Sequence, residues 1–358
     1  MMVPPIAPLT GVALRGICTA VPSGVARTAD YTLLTEAERA KFAAGTGIEQ
    51  RRVAAAGQYT SDLCIAAAGE LLARLDWDKA SVQALVMITQ TGDHPVPATA
   101  IIVQHKLGLP TSCAAFDINL GCSSYPYGLA VLGSMMRTLG LRRALLLVGD
   151  VSTRLCSYND KSSWPLFGDA GSATALELDE AAAPIHFDLN SDGAGKDAII
   201  VEAGGLASRK PATADGFAEV ELAPGIARHP SHLQLKGADI FSFAIGAVPP
   251  SIRRVLARAG WELDSVDHVV LHQANKMIND FIRKKVGYPA DKAIGTLKDY
   301  GNTSSVSIPL TLCAGASALA DGGRVLLCGF GVGLSWASAT LVLEAGTVLH
   351  LFDSDHVY

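Results

Sequence analysis

The sequence predicts an α/β fold, on three observations. Short runs rich in Val, Ile and Leu recur along the chain between longer segments of helical periodicity. Continuous apolar runs of this length suit strands buried on both faces. Hydrophobic residues make up 49% of the chain and charged residues 18%, below the roughly 25% of an average soluble chain. A large core is therefore available, and an intrinsically disordered chain is excluded. The length of 358 residues, at about 150 per domain, fits one large domain or two half-size units, and a faint internal repeat bears on that choice. Arg143 to Gly149 resembles Arg324 to Gly329. Ser172-Ala173-Thr174 with Leu176-Glu177 likewise resembles Ser338-Ala339-Thr340 with Leu343-Glu344. Proteins of α/β type reuse such strings, so the repeat alone leaves duplication open.

Taken in chain order, Thr60 to Leu75 reads as a helix with Leu63, Ala67, Leu71 and Leu72 on one stripe. Ala84 to Thr89 reads as a buried strand. Phe116 to Leu120 keeps a strand pattern up to Gly121, and a helical pattern (Leu129, Leu132, Met136) follows, so Cys122 falls at a strand-to-helix turn. Ala144 to Gly149 is a further strand. Asp179 to Pro184 looks like the junction of the halves, which gives units of residues 1–180 and 181–358. Ser191 to His232, rich in Gly, Ala, Asp and Pro, reads as loops and short strands that cover a pocket. Phe241 to Ala259 is a second amphipathic helix, with Ile245, Val248, Ile252, Val255 and Leu256 on its stripe. Val269 to Leu271 and Arg324 to Gly329 are buried strands. Thr303 to Ala320 is uncharged but holds Pro309 and several Ser and Thr, and reads as a buried helix, not a membrane span.

The charge balance argues against bulk nucleic-acid binding. Lys plus Arg is 29, Asp plus Glu is 34, and the net charge is −5, whereas such binding needs a basic face. Seven cysteines, an odd number without a CxxC pair, argue against a disulfide framework or a structural zinc site and point to a reducing cytosol. The start, Met1-Met2-Val3-Pro4-Pro5, has the features of no signal peptide. Few charges among many apolar residues imply that a partner subunit covers part of the surface.

Three residues stand out for chemistry. Cys122, after Gly121, sits where unpaired helix N–H groups favour a thiolate, so its pKa is expected to be lowered. A buried structural thiol is the ordinary alternative. His272, in Leu271-His272-Gln273-Ala274-Asn275, ends a buried strand, where α/β proteins carry functional groups; a core histidine bonded to backbone is the alternative. Asn302, in Gly301-Asn302-Thr303-Ser304, leads a turn into a helix, where an N-cap is the plain reading. The formal Asn-Thr-Ser glycosylation signal fails without secretion. Together, a thiol nucleophile, an imidazole and an amide suit acyl transfer.

In these strings the chain resembles the thiolase superfamily, and most closely its β-ketoacyl-acyl-carrier-protein synthase III branch. The Cys122 string, the His272 motif and the Asn302 motif match that family's catalytic motifs in order, and His272 and Asn302 stand thirty residues apart as in the family. Phe167-Gly168-Asp169-Ala170-Gly171 and Gly329 to Trp336 match as well, so the resemblance covers nearly the whole chain. Gly329-Phe330-Gly331 as a dinucleotide site is weak, because it precedes a strand. The resemblance implies a five-layer αβαβα sandwich of two duplicated halves, a homodimer and no cofactor beyond acyl thioesters of CoA or acyl carrier protein. Cys122 would take the acyl group. His272 and Asn302 would stabilise the enolate left when a malonyl thioester loses CO₂. The backbone N–H groups of Cys122 and Gly333 would form the oxyanion hole. Asn302, in place of a second Cys or a Glu, points to decarboxylation.

The resemblance also implies substrate contacts at Val96, Phe167, Gly237, Phe241, Phe330 and Met277, and carrier-protein docking at Arg283, Lys284 and Lys285. Departures from the family lie among the gripping residues. Lys41 replaces a Trp that stacks on adenine, Gly45 replaces an Arg, and Met277 replaces an Arg beside Lys276. Val96 stands where short-chain enzymes often insert a Phe from the partner subunit, so a longer or branched acyl chain fits. These departures imply a specialised fatty-acid, polyketide or secondary-metabolite role. A non-condensing acyltransferase and a non-catalytic partner subunit are the alternatives; the latter usually loses Cys or His, and both are intact.

Overall fold

The computed structural model describes residues 6–206 and 218–358. Ten strands build two main sheets. They are β1 (Val12–Val21), β2 (Ala84–Ile88), β3 (Ala114–Ile118), β4 (Arg143–Val151) and β5 (Asp169–Leu178), then β6 (His186–Ser191), β7 (His268–Leu271), β8 (Gly323–Gly331), β9 (Ser335–Leu343) and β10 (Val348–Asp353). The first sheet has the order β10-β1-β5-β4-β2-β3 and the second β7-β8-β9-β6. Within them, β2, β3 and β4 run parallel, as do β7 and β8. The antiparallel pairs β4–β5 and β5–β1 correspond to β8–β9 and β9–β6. The strings that repeat in sequence therefore occupy equivalent strands. The half beginning at residue 181 does not keep its last strand, however: β10 returns to pair parallel with β1.

Helices fill three layers. On the outer face of the first sheet lie α2 (Thr60–Arg74) and α3 (Thr99–Leu107), reached after α1 (Glu36–Thr46). Between the sheets lie α4 (Ser124–Leu139) and α7 (Ser307–Ala314). On the outer face of the second sheet lie α5 (Gly237–Ala259) and α6 (Lys276–Val286). The layering is thus αβαβα. The apolar clusters follow it. One core joins Val86, Ile88, Leu129, Leu146, Leu312 and Leu327 between the sheets, and two others lie under α2 with α3 and under α5 with α6.

Local chemistry sets the helix ends. Thr35 and Glu38 form a capping box on α1. The Asn275 Oδ1 accepts from the Ile278 N–H at 2.8 Å and caps α6. The stripe expected on α2 understates its burial, because Thr60 to Ala68 are buried on every side. Gly171 explains how α2 comes so close: a Cβ there would stand 2.7 Å from the Leu63 and Cys64 backbone. The second amphipathic segment begins at Gly237, four residues before the expected start, and Ile245 on its stripe is only half-buried. By length and composition α5 could cross a membrane, but its apolar face packs on β6, β8 and β9. The buried helix expected over 303–320 is the short α7, entered through the turn Ser304–Val306.

Candidate active site

Cys122, His272 and Asn302, distant in sequence, line one cavity of about 1070 Å³ including its open mouth. The fold brings them there because α4, which begins at Ser124, is an inner-layer helix, while His272 follows β7 and Asn302 precedes α7. The site lies where the first sheet meets the second. Leu155, Phe167, Leu233, Ile240 and Phe330 give the cavity an apolar wall. Ile199 comes from the excursion expected to cover a pocket, and Leu233 directly follows its end; residues 207–217 of that segment lie outside the described residues.

Cys122 is buried, and burial pushes its thiol up to about 11. The Asp150 charge pushes in the same direction, while the N–H groups of Val332 and of Cys122 itself and the Ser304 side chain pull it down. This corrects the expectation of a lowered pKa. Of these donors only the Cys122 amide belongs to the strand-to-helix turn, and loss of water outweighs them all. At pH 7.5 the thiolate fraction is then on the order of 10⁻³ to 10⁻⁴, so the resting group is the thiol.

A second correction concerns the oxyanion hole. The backbone amide that faces the Cys122 sulfur is that of Val332, not Gly333. Gly331 makes the approach possible, since a Cβ there would stand 2.7 Å from both Cβ and Sγ of Cys122. Val332 itself lines the cavity, and its Cγ1 lies 2.7 Å from where a Cβ on Gly121 would be. Gly121 therefore leaves room for the Val332 side chain.

His272 is 1% exposed. Its Nδ1 lies 2.6 Å from the Ser307 hydroxyl, and its ring meets the Phe330 ring edge to face at 5.5 Å. Burial lowers its pKa to about 3, against a smaller opposing pull from the Ser304 backbone. The imidazole is neutral at every working pH. Asn302 is also buried, and its Oδ1 accepts from the Ser304 N–H at 2.9 Å. That bond fixes the amide, so Nδ2 is the end left to donate. Its backbone is pinned by Leu166 O and Gly168 N at 2.9 and 3.0 Å. The site thus offers a thiol beside two backbone donors, and two neutral side-chain donors beyond it.

Neighbouring motif residues are braces. Gln273 donates to the Leu271 carbonyl and accepts from the Thr296 N–H. Asp169 accepts from the backbone of Ala54 and from both the backbone and the hydroxyl of Thr153.

Of the expected substrate contacts, Phe167, Gly237 and Phe330 line the cavity. Three others do not. Phe241 packs against Phe281 at 5.6 Å, one residue along α5 from Ile240, which takes the inward position. Met277 is exposed on α6, where Ile278 turns inward instead. Val96 is 82% exposed, away from this chain's cavity. In the basic cluster, Arg283 lies 3.9 Å from Asp280 and Lys285 donates to the Ile245 carbonyl, while Lys284 is exposed. Val332, Ser304, Ser307 and Asp150 had no signal of their own, because their roles come from which atoms face the sulfur and the imidazole.

The family model for 3-oxoacyl-[acyl-carrier-protein] synthase III matches residues 116–193, which hold Cys122. The model for the C-terminal part of the same synthase matches residues 256–343, which hold His272, Asn302 and Val332. A β-ketoacyl-[acyl-carrier-protein] synthase III of Roseiflexus castenholzii is 36% identical over 93% of this chain and 98% of its own. A synthase III of Streptomyces coelicolor is 33% identical over 93% and 97%. The crystal structure of a 3-oxoacyl-(acyl-carrier-protein) synthase from Burkholderia xenovorans superposes with a TM-score of 0.90 at 34% identity, covering 97% of this chain and 98% of that one.

Proposed function

The chain belongs to the 3-oxoacyl-[acyl-carrier-protein] synthase III family, and from that premise we propose that Cys122, His272 and Asn302 carry out a decarboxylating Claisen condensation. Enzymes of this type work on acyl thioesters of CoA and of acyl carrier protein without a cofactor. The observation that carries the residue assignment is the pairing in one cavity of a buried thiol next to the Val332 amide with two neutral donors.

In the first half, Sγ of Cys122 attacks the carbonyl carbon of an acyl thioester. The N–H groups of Cys122 and Val332 receive the oxyanion, as a preorganised hole does. The C–S bond to the carrier breaks, and the leaving thiolate takes the proton that Cys122 gives up. In the second half, the carbonyl oxygen of a malonyl-type thioester accepts from Nε2 of His272 and Nδ2 of Asn302. The carboxylate leaves as CO₂, and the enolate carbon attacks the acyl-enzyme. A β-ketoacyl thioester forms, and Cys122 leaves as thiolate and takes a proton from water. Neutral donors suit this half, because a charged imidazolium would hold the extender's carboxylate and oppose its loss.

The two halves act as duplicated units, and a second copy covers the exposed edge strand β3 together with Val96 and Ile101, 82% and 48% exposed. Val96 then reaches the partner's acyl pocket, where its small side chain admits longer chains. With Lys41, Gly45 and Met277 at the gripping positions, a specialised fatty-acid or polyketide route fits better than bulk synthesis. Intact-mass measurement after exposure to acetyl, octanoyl and longer thioesters tests this reading. One acyl group on the Cys122 peptide, with octanoyl at least as fast as acetyl, is expected; strict acetyl preference would sink the pocket argument.

A further inference from the structure

One buried carboxylate on the cavity wall has no part in these steps. Asp150, on β4, is fully buried and lines the same cavity as Cys122. Its partners are neutral donors from both sides of the site. Oδ1 accepts from the Gln90 N–H at 2.9 Å and from the Thr89 and Thr91 hydroxyls, each at 3.2 Å. Oδ2 accepts from the Ser305 N–H at 3.2 Å. One oxygen is thus held by the residues that follow β2, and the other holds the turn that contains Asn302.

That turn needs holding. Ser304 has φ +50°, a left-handed backbone that a serine adopts at a cost. Its N–H fixes the Asn302 amide, its side chain meets Cys122 and its backbone meets His272. A shift of this turn moves the contacts of all three residues together. Beside the backbone bonds of Leu166 and Gly168 to Asn302, the side-chain ties from the first sheet's side are the Ser124 hydroxyl to the Ser305 carbonyl, at 3.5 Å, and the Asp150 bond. The second is the charge-assisted one and the stronger.

We propose that Asp150 is a positioning residue of the condensation half-reaction, clamping the Asn302–Ser305 turn against the sheet that carries Cys122. This rests on the condensing function above. Its charge has a second consequence, since an anion on the cavity wall opposes ionisation of Cys122. The other titratable group at the site, His272 from the end of β7, is neutral.

Asp150→Asn separates these effects. An amide accepts on one side only, so either Ser305 or the Thr89–Thr91 donors meet an NH₂ group. The charge is also gone. Two readouts are expected to move in opposite directions. Alkylation of Cys122 by iodoacetamide, followed by mass against pH, shifts its midpoint down by about one unit, roughly tenfold faster at a fixed lower pH. Release of CO₂ from a malonyl thioester on the preformed acyl-enzyme falls at least about tenfold, while acyl-enzyme formation stays within about threefold. An unmoved alkylation profile, or equal loss of both half-reactions, overturns the proposal. If Asp150→Asn does not fold, Thr89→Val/Thr91→Val reads the same clamp with the charge in place: CO₂ release falls, and wild-type release would overturn it. Wild-type protein that takes no acyl group would count against the condensing reading instead, and the alkylation arm still decides the role of Asp150.

Discussion

Gly331→Ala tests the oxyanion hole most sharply, because the perturbation can be sized. The new methyl would stand 2.7 Å from both Cβ and Sγ of Cys122, whereas nonbonded carbons settle at about 3.5–4.0 Å. The shortfall is roughly 1 Å. Neighbouring Phe330 and the body of β8 are buried, so the strand has little room to retreat. Either the Cys122 side chain turns away or the Gly331–Val332 backbone lifts, and both separate the sulfur from the Val332 N–H. Donors in such a hole work at about 2.7–3.1 Å, and loss of one costs on the order of 10²–10³ in rate. Overpacking costs a further ~1–3 kcal/mol of stability, which lowers the melting temperature by several degrees without unfolding the chain. The assay is the initial rate of acyl-enzyme formation by intact mass at one thioester concentration. Acylation within threefold of wild type, in a folded variant, would refute the reasoning that this backbone approach builds the hole.

Other outcomes follow from the same geometry. Ser307→Ala removes the 2.6 Å partner of His272 Nδ1; condensation should fall on the order of tenfold with acylation unchanged, as stopped-assay rates of the two half-reactions would record. Asn302→Ala should retain acylation and lose about 10²–10³ in CO₂ release; equal loss of both would contradict its assignment. The folded His272 titrates at about 3, below its ordinary 6.5. Between these values the unfolded chain holds a proton that the folded chain does not, so stability is full above about pH 6.5 and falls as pH drops towards 3. Urea midpoints from pH 7.5 to 4.5 should decline less steeply in His272→Gln than in wild type.

Sequence reading found what depends on strings. Buried strands announce themselves as Val/Leu runs, and the strings around Cys122, His272 and Asn302 fall at strand ends or before inner helices, so their meeting follows from topology. It missed what depends on orientation. Counting along Gly331-Val332-Gly333 does not tell which N–H turns to the sulfur; the fold turns Val332. The helix-terminus argument for Cys122 missed the Val332 amide and had no measure of burial, and burial wins. Phe241 and Met277 each lie one residue from the position that faces inward, an offset of about 100° on a helix. Asp150 lies just past the strand read over Ala144 to Gly149, and only the structure sets its two oxygens on opposite sides of the site.

The central claim is that one thiol holds the acyl group and that carbon–carbon bond formation accompanies CO₂ loss. Its most direct measurement is a single-turnover reaction of acyl-loaded protein with a carboxyl-labelled malonyl thioester, following the mass of the Cys122 peptide and the released label together. The account predicts label release equal to the acyl group lost from Cys122 and to the β-ketoacyl thioester formed. Discharge of the acyl group from Cys122 without release of label, or an acyl group carried on another residue, would contradict it.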